Sequence, residues 1–357
     1  MATRKRLEAG PKVRSAALTH YLDVARSLGL DPQPLLRQAG ISRATLAIPD
    51  QPVPADAVVQ LLEASARASG CDTFALRMAE QRQLSNFGVV SLLISHQRTL
   101  RDVLQTIVQY RNVLNESLAL FVEPAGRVTV LREEVVTRSD APARQATELA
   151  VSVLFLSLRS LAGADWHPQS VHFTHAAPQD ASVHRRIFRC RVVFDSDFNG
   201  MVCLTTDLDR ANPLADAAMA DYAERFVRAL PSAEGGSIAQ EVRRIVYLLL
   251  PMGRATIVQA AQSLGLNVRT LQRRLDEEAE PFSALINEVR RELAPRYLAN
   301  TRYPLGRVAE QLGYAKPGSF TRWFAAQFGM PPIEWRAQAL QAAAAQTPKR
   351  SRRLPAK

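Results

Sequence analysis

The chain has 357 residues, of which 47% are apolar, and a formal charge of +11. This length suits two domains, each able to bury a core, and with no uninterrupted apolar run of about 18 residues or more no transmembrane helix is expected. Cys71, Cys190 and Cys203 are scattered and odd in number, which fits neither a disulfide framework nor a zinc site, and the basic N-terminus lacks the apolar stretch of a secretory signal; the expected compartment is the cytoplasm, and no metal or other cofactor is expected.

Residues 1–13 read as a solvated, disordered basic arm, and residues 14–112 as a run of helices. Leu18, Tyr21, Leu22, Ala25 and Leu28 share one face at helical spacing, and Gly29 with Asp31-Pro32 ends that helix. A proline-rich loop at 49–54 comes before Val58, Leu61, Leu62 and Ala66, which continue the pattern to Gly70. Asp72 is placed to cap a helix carrying Phe74, Leu76 and Met78. Two more helices follow at about 86–96 and 99–113. Near 115 the period drops to two: Leu118, Leu120 and Val122 alternate, a turn follows at 124–127, and Val128, Val130 and Val135 complete a hairpin. A helix at about 142–162 is apolar on most faces and should be buried on several sides. A strand at 169–174, a helix at 180–188, strands at 191–194 and 200–205, and a helix from Asn212-Pro213 to about 229 finish an α+β, mostly helical domain at 14–230. Pro-Ser-Ala-Glu-Gly-Gly-Ser at 231–237 has linker composition.

The stretch 238–340 contains one pattern twice. Ile257, Ala260, Ala261, Leu264, Gly265 and Leu266 come before Leu271 and Leu275; Leu305, Val308, Ala309, Leu312, Gly313 and Tyr314 come before Phe320 and Phe324. Each copy reads as a short helix, a glycine turn and a second helix, the signature of a helix-turn-helix whose second helix enters a DNA major groove. The copies span about 255–278 and 304–327, joined by a linker helix at about 282–300 that Pro295 should kink. At about 1.5 Å per residue that helix is roughly 28 Å long, which suits adjacent major grooves about 34 Å apart. Residues 237–357 hold 19 Lys and Arg against 9 Asp and Glu, whereas residues 1–236 hold 26 against 25. Nearly all the excess charge therefore lies with the repeat, as a nucleic-acid-binding domain requires; a basic surface serving only solubility is the alternative. Residues 341–357, Ala-rich and then basic, read as a disordered tail.

In the first copy Arg269, Gln272 and Arg273 share the face opposite Leu271 and Leu275 and are candidate base readers, since Arg pairs with guanine and Gln with adenine through two hydrogen bonds. Asp276, Glu277, Glu278 and Glu280 follow, so only the N-terminal half of that helix can approach phosphates. In the second copy Gly318, Ser319 and Arg322 face outward, with Ser319 and Arg322 the candidate readers; Gly318 offers no side chain, so this copy should read sequence more weakly. Trp323 reads as core edge. Thr270, Arg274, Lys316 and Thr321 are the candidate phosphate contacts.

These residues resemble the AraC/XylS family of bacterial transcription regulators. The likeness is sharpest at Gly313-Tyr314, Phe320-Thr321-Arg322, Phe324 and 328–336, where Phe-Gly-Met-Pro-Pro-Ile-Glu-Trp-Arg follows the family's closing pattern with Trp335 in place of the usual Tyr. The family's base-reading positions fall on Arg269, Gln272 and Arg273, and on Gly318, Ser319 and Arg322. Leu22-Asp23, Arg26, 28–31, Leu35-Leu36, 39–41 and 86–88 look like the helical, arabinose-binding-like effector domain of the ornithine-utilisation-regulator type. The resemblance implies effector binding or dimerisation by the N-terminal domain.

His167, His172, His175 and His184 lie close in sequence, but no metal-ligand spacing, Gly-x-Ser-x-Gly or phosphate loop accompanies them. They read as surface or structural, no catalytic residue is expected, and Cys190 and Cys203 lack the motif of a DNA-repair thiol. The expected function is sequence-specific regulation of transcription, with duplex DNA, a small-molecule effector, RNA polymerase in the case of an activator, and a second copy of the chain as partners, and with no membrane. An effector-independent repressor, or a non-specific DNA-binding protein whose N-terminal domain only dimerises, is the alternative.

Overall fold

The computed structural model describes residues 10–138, 142–228, 237–299 and 303–346. Its tertiary contacts divide the chain into two units, residues 1–244 and 245–357. Residues 1–9 of the expected arm, 231–236 of the expected linker and 347–357 of the expected tail lie outside the described residues.

The first unit opens with a feature that helical periodicity hides. Strand β1 (Lys12–Arg14) pairs antiparallel with β2 (Pro52–Pro54), so the end of the expected arm and the proline-rich loop are strands. Val13 and Val53 are buried between them, whereas both prolines are exposed, as a strand edge allows. The first apolar face is also not one helix. His20 takes a left-handed backbone (φ 67°), so Ser15–Leu18 forms a single 3-10 turn and the α-helix starts only at Tyr21. Helices α1 (Ala55–Ser69) and α2 (Phe74–Glu80) follow; Thr73 rather than Asp72 precedes α2, and the Asp72 carbonyl accepts from Gln145 instead, at 2.7 Å. Helix α3 (Leu100–Gln109) starts on a reciprocal cap between Thr99 and Asp102.

The hairpin β3 (Leu118–Ala125) and β4 (Val128–Val135) leads into helix α4 (Arg144–Ala162), then β5 (Ser170–His172), α5 (Ser182–Phe188), β6 (Arg191–Val193), β7 (Gly200–Leu204) and α6 (Ala217–Arg228). The sheet order is β3-β4-β7-β5-β6, with only β5 and β6 parallel. Gly200 sets the β4–β7 pairing: at φ 138° an added Cβ would sit 1.9 Å from the Leu131 carbonyl oxygen. Helix α4 serves two apolar cores. Ala146 and Leu149 join the one around Tyr21, Leu62 and Phe74, while Leu154, Phe155 and Leu158 join the one beneath the sheet.

Helix α7 (Ile238–Leu249) contains the division between the units. Its first turns are tied into the first unit, where Glu241 pairs with Arg111 at 2.9 Å and Arg244 donates to the Glu116 carbonyl at 2.7 Å. The second unit is helical: α8 (Ile257–Ser263), α9 (Val268–Glu277), α10 (Phe282–Ala299), α11 (Leu305–Gln311), α12 (Pro317–Phe328) and α13 (Pro332–Gln346). Helix α10 continues through Pro295, with Leu285, Val289, Leu293 and Leu298 buried along it. Helix α13 takes in residues 341–346, the first part of the expected disordered tail; the alanine run there favours helix.

Gly265 and Gly313 both turn at positive φ, 65° and 72°, but only Gly313 is crowded, with Leu250 Cδ1 3.2 Å from where a Cβ would stand. Gly313→Ala is expected to cost the second unit about 1–2 kcal/mol, and more than Gly265→Ala, whose site is open. Gly318→Ala, in open space without positive φ, should be neutral or slightly stabilising. Denaturant melts of the three variants would check the order.

Candidate nucleic-acid interface and interior cavity

Each recognition helix is positioned by two buried side chains one turn apart. In α9 these are Leu271 and Leu275, and in α12 Phe320 and Phe324, none more than 1% exposed. At 100° per residue they fix which side faces out. Asn267 caps α9, its side chain accepting from the Thr270 N–H at 2.8 Å. Arg269, Gln272, Arg273 and Arg274 are exposed and Thr270 is half-buried. Arg269, Gln272 and Arg273 line one open surface groove together with Asn267, Thr270, Asp276 and Glu277. Arg273 is engaged, its Nη1 lying 2.9 Å from Glu277 Oε1 one turn on. Both partners are more than half exposed, so this ion pair contributes little and a base edge can displace it.

Helix α12 starts without a side-chain cap, at Pro317 after Lys316. Lys316, Gly318, Thr321 and Arg322 are exposed, and Ser319 is half-buried. The Thr321 hydroxyl donates back to the Pro317 carbonyl at 3.1 Å, so donation to a phosphate requires it to turn. Trp323 is half-buried in an aromatic cluster, its ring centre 5.7 Å from Tyr314 and 6.3 Å from Phe328, which makes it part of the frame. The Arg290 guanidinium lies 4.5 Å over the Tyr314 ring and donates to the Leu312 carbonyl at 2.9 Å, locking the turn before α12 onto α10. Arg336 donates to the Leu298 carbonyl at 3.0 Å, placing a cation at the C-terminal end of α10. Gly329 ends α12 in the left-handed conformation.

The first unit contains a cavity of ≈ 130 Å³ between β1, α1, the β3–β4 hairpin and α4. Its wall is mostly apolar, including Val59, Leu62, Leu120, Val135 and Val153, with Arg14, Arg82, Arg111 and Glu133 as its charged members. Periodicity marks Glu133 only as an interruption: β4 buries Thr129, Leu131, Glu133 and Val135 on one face, and the third of these is a carboxylate.

A second buried carboxylate is well supplied. Glu148 on α4 is fully buried, and its Oε1 lies 3.1 Å from Arg144 Nε, 3.1 Å from His184 Nε2 and 3.2 Å from His175 Nε2. Burial alone would raise this carboxyl; the contacts of His175 and His184 outweigh it and bring it down to about 2. His172 instead bonds Ser170 and Ser196, each at 2.9 Å, and stacks on Phe198. Of the histidines that lie close in sequence, the fold joins His175 to His184 through Glu148 on α4. Among the described residues no group of His, Cys, Asp and Glu could hold a metal ion, and no helix is long and apolar enough to cross a membrane. Burial pushes Cys190 up to about 11 and Cys203 up to about 12, so neither is a thiolate at neutral pH.

Known proteins of the same pattern match most of the chain. A family model described as the arabinose-binding domain of AraC transcription regulators, N-terminal, matches residues 29–212, and a helix-turn-helix domain model matches residues 260–338. The chain is 30% identical over 337 residues to the HTH-type transcriptional regulator VirS of Mycobacterium tuberculosis, covering 93% of this chain and 98% of that protein. It is 24% identical over 324 residues to the ornithine utilization regulator of Pseudomonas aeruginosa, covering 88% and 93% of the two chains. With the HTH-type transcriptional regulator VqsM of the same organism it shares 24% identity over 272 residues, 73% of this chain and 82% of that one.

The Glu148 cluster has a pH signature. A carboxyl depressed in the fold stabilises it fully above its unfolded value near 4.5, and that stabilisation is lost as pH falls toward about 2. Glu148→Ala leaves the buried His184 without its Glu148 contact and is expected to cost about 3 kcal/mol at pH 7. The gap to the parent chain should narrow between pH 4.5 and 2, as measured by denaturant unfolding across that range.

Proposed function

Because the chain belongs to the AraC family of DNA-binding transcription regulators, we propose that its two helix-turn-helix motifs read adjacent major grooves of one operator while the first unit senses a small molecule, dimerises, or does both. Arg269, Gln272 and Arg273 read bases from α9, and Ser319 and Arg322 from α12. Thr270, Arg274, Lys316 and Thr321 hold phosphates. The observation that carries this reading is the repeated frame: two helices, each pinned by a buried i, i+4 pair, carry their polar row outward within the one basic third of the chain. The acidic end of α9, Asp276 and Glu277, keeps phosphates at its N-terminal half, the docking polarity of a helix-turn-helix.

The mostly apolar cavity between β1, α1, the hairpin and α4 supports effector binding. The exposed row Met219, Tyr222 and Phe226 on α6 offers an apolar face to a second copy. The chain acts on DNA in the cytoplasm and catalyses no reaction; as an activator it would also touch RNA polymerase.

Footprinting of the full chain on the DNA flanking its own gene tests this directly. Protection of stretches of roughly 20 base pairs, each with two contact zones one helical turn apart, is expected; diffuse protection only would overturn the two-groove reading. Arg273→Ala should lose about 1–3 kcal/mol at one base pair and relax choice there. Lys316→Ala should weaken cognate and random DNA alike and lower the slope of log K against log salt by about 1. Titrations at several salt concentrations would separate the two roles.

A further inference from the structure

Glu133 is the one charged residue of the cavity wall without a partner among the described residues. Its side chain is 3% exposed, its Oε2 has no hydrogen-bond partner, and its backbone N–H donates to the Asn199 carbonyl at 2.9 Å. The three cations on the wall are committed. Arg14 pairs with Asp50, Arg111 lies 2.9 Å from Glu241, and Arg82 donates to the Ala16 and Ala17 carbonyls. From α4 the cavity receives only apolar side chains, Ala146, Leu149, Ala150, Val153 and Leu154, and from β3 only Leu118 and Leu120. Arg82 Nε is also unpartnered, but its guanidinium already carries two carbonyls, so the larger unmet demand lies at Glu133. A carboxyl left unpaired on the inward row of a strand is costly unless something completes it.

We propose that this cavity is the effector site and that its ligand is a small apolar amine, held as the ammonium against Glu133. The proposal rests on the reading of the first unit as an effector domain. A cavity of ≈ 130 Å³ is close to the size that holds a benzene ring, so an aryl or short alkyl amine fills it. Burial, with Glu134 adjacent in sequence, pushes the Glu133 carboxyl up to about 8, so the empty site is protonated at neutral pH. When the ammonium arrives, the carboxyl releases its proton to solvent and the two charges pair. One proton is therefore released per ligand bound, and affinity rises about tenfold per pH unit below about 8.

The test uses the full chain with benzylamine, benzyl alcohol and phenylacetate as matched probes, read by thermal shift and calorimetry. Benzylamine alone should raise Tm, its Kd should fall about tenfold from pH 6 to pH 7, and Glu133→Gln, close in shape to the parent, should bind it at least tenfold more weakly. Glu133→Leu serves as a second variant should the first fold poorly. An unchanged benzylamine response in Glu133→Gln, or affinity independent of pH, overturns the amine assignment. Stabilisation by the alcohol or the carboxylate instead, abolished by a cavity-filling Ala150→Phe, also overturns it while leaving the effector-cavity reading intact. Binding of none of the three overturns the amine assignment and counts against the cavity reading as well.

Discussion

The candidate DNA-facing surface depends on one constraint: a helix with two buried side chains a single turn apart cannot rotate. Leu271 with Leu275, and Phe320 with Phe324, turn that geometric fact into a fixed outward row on α9 and α12. Rotating either helix by one residue would bring an apolar side chain into water and a polar one into the core, and each apolar exposure costs on the order of 2 kcal/mol. The second helix carries the heavier anchor. Its aromatic cluster and the Arg290 contacts to Tyr314 and Leu312 fix the turn that aims it, while its outward row is thinner because Gly318 contributes no side chain. The two copies thus differ, α9 presenting the fuller polar row and α12 the heavier aromatic anchor.

The first unit holds two buried carboxylates with opposite circumstances. Glu148 gathers Arg144, His175 and His184 and stays charged, fastening α4 to α5 and to the segment after β5. Glu133 faces a cavity and has no such company. Low dielectric acts in both places. Where partners converge it makes a structural fastening, and where they are missing it leaves a demand that an incoming molecule can meet.

The sequence by itself determined the period of most elements, and with it the mostly helical first domain, the hairpin, and the duplicated helix–turn–helix pattern with its polar outward rows. Periodicity reports which face of an element is buried, and that is local information. It also determined the charge asymmetry, since counting residues needs no fold. What it misjudged was local chemistry overridden by tertiary contact: β1 and β2 are strands because Val13 and Val53 find each other across the unit, and the first helix breaks at His20 while its apolar spacing continues. Only the tertiary structure decided that Glu148 meets His184 across 36 residues of sequence, that the cavity lies between elements distant in the chain, and that Glu133 opens into it without a counter-ion. Those facts concern which buried polar groups come within about 3 Å of one another, and no single segment carries that distance.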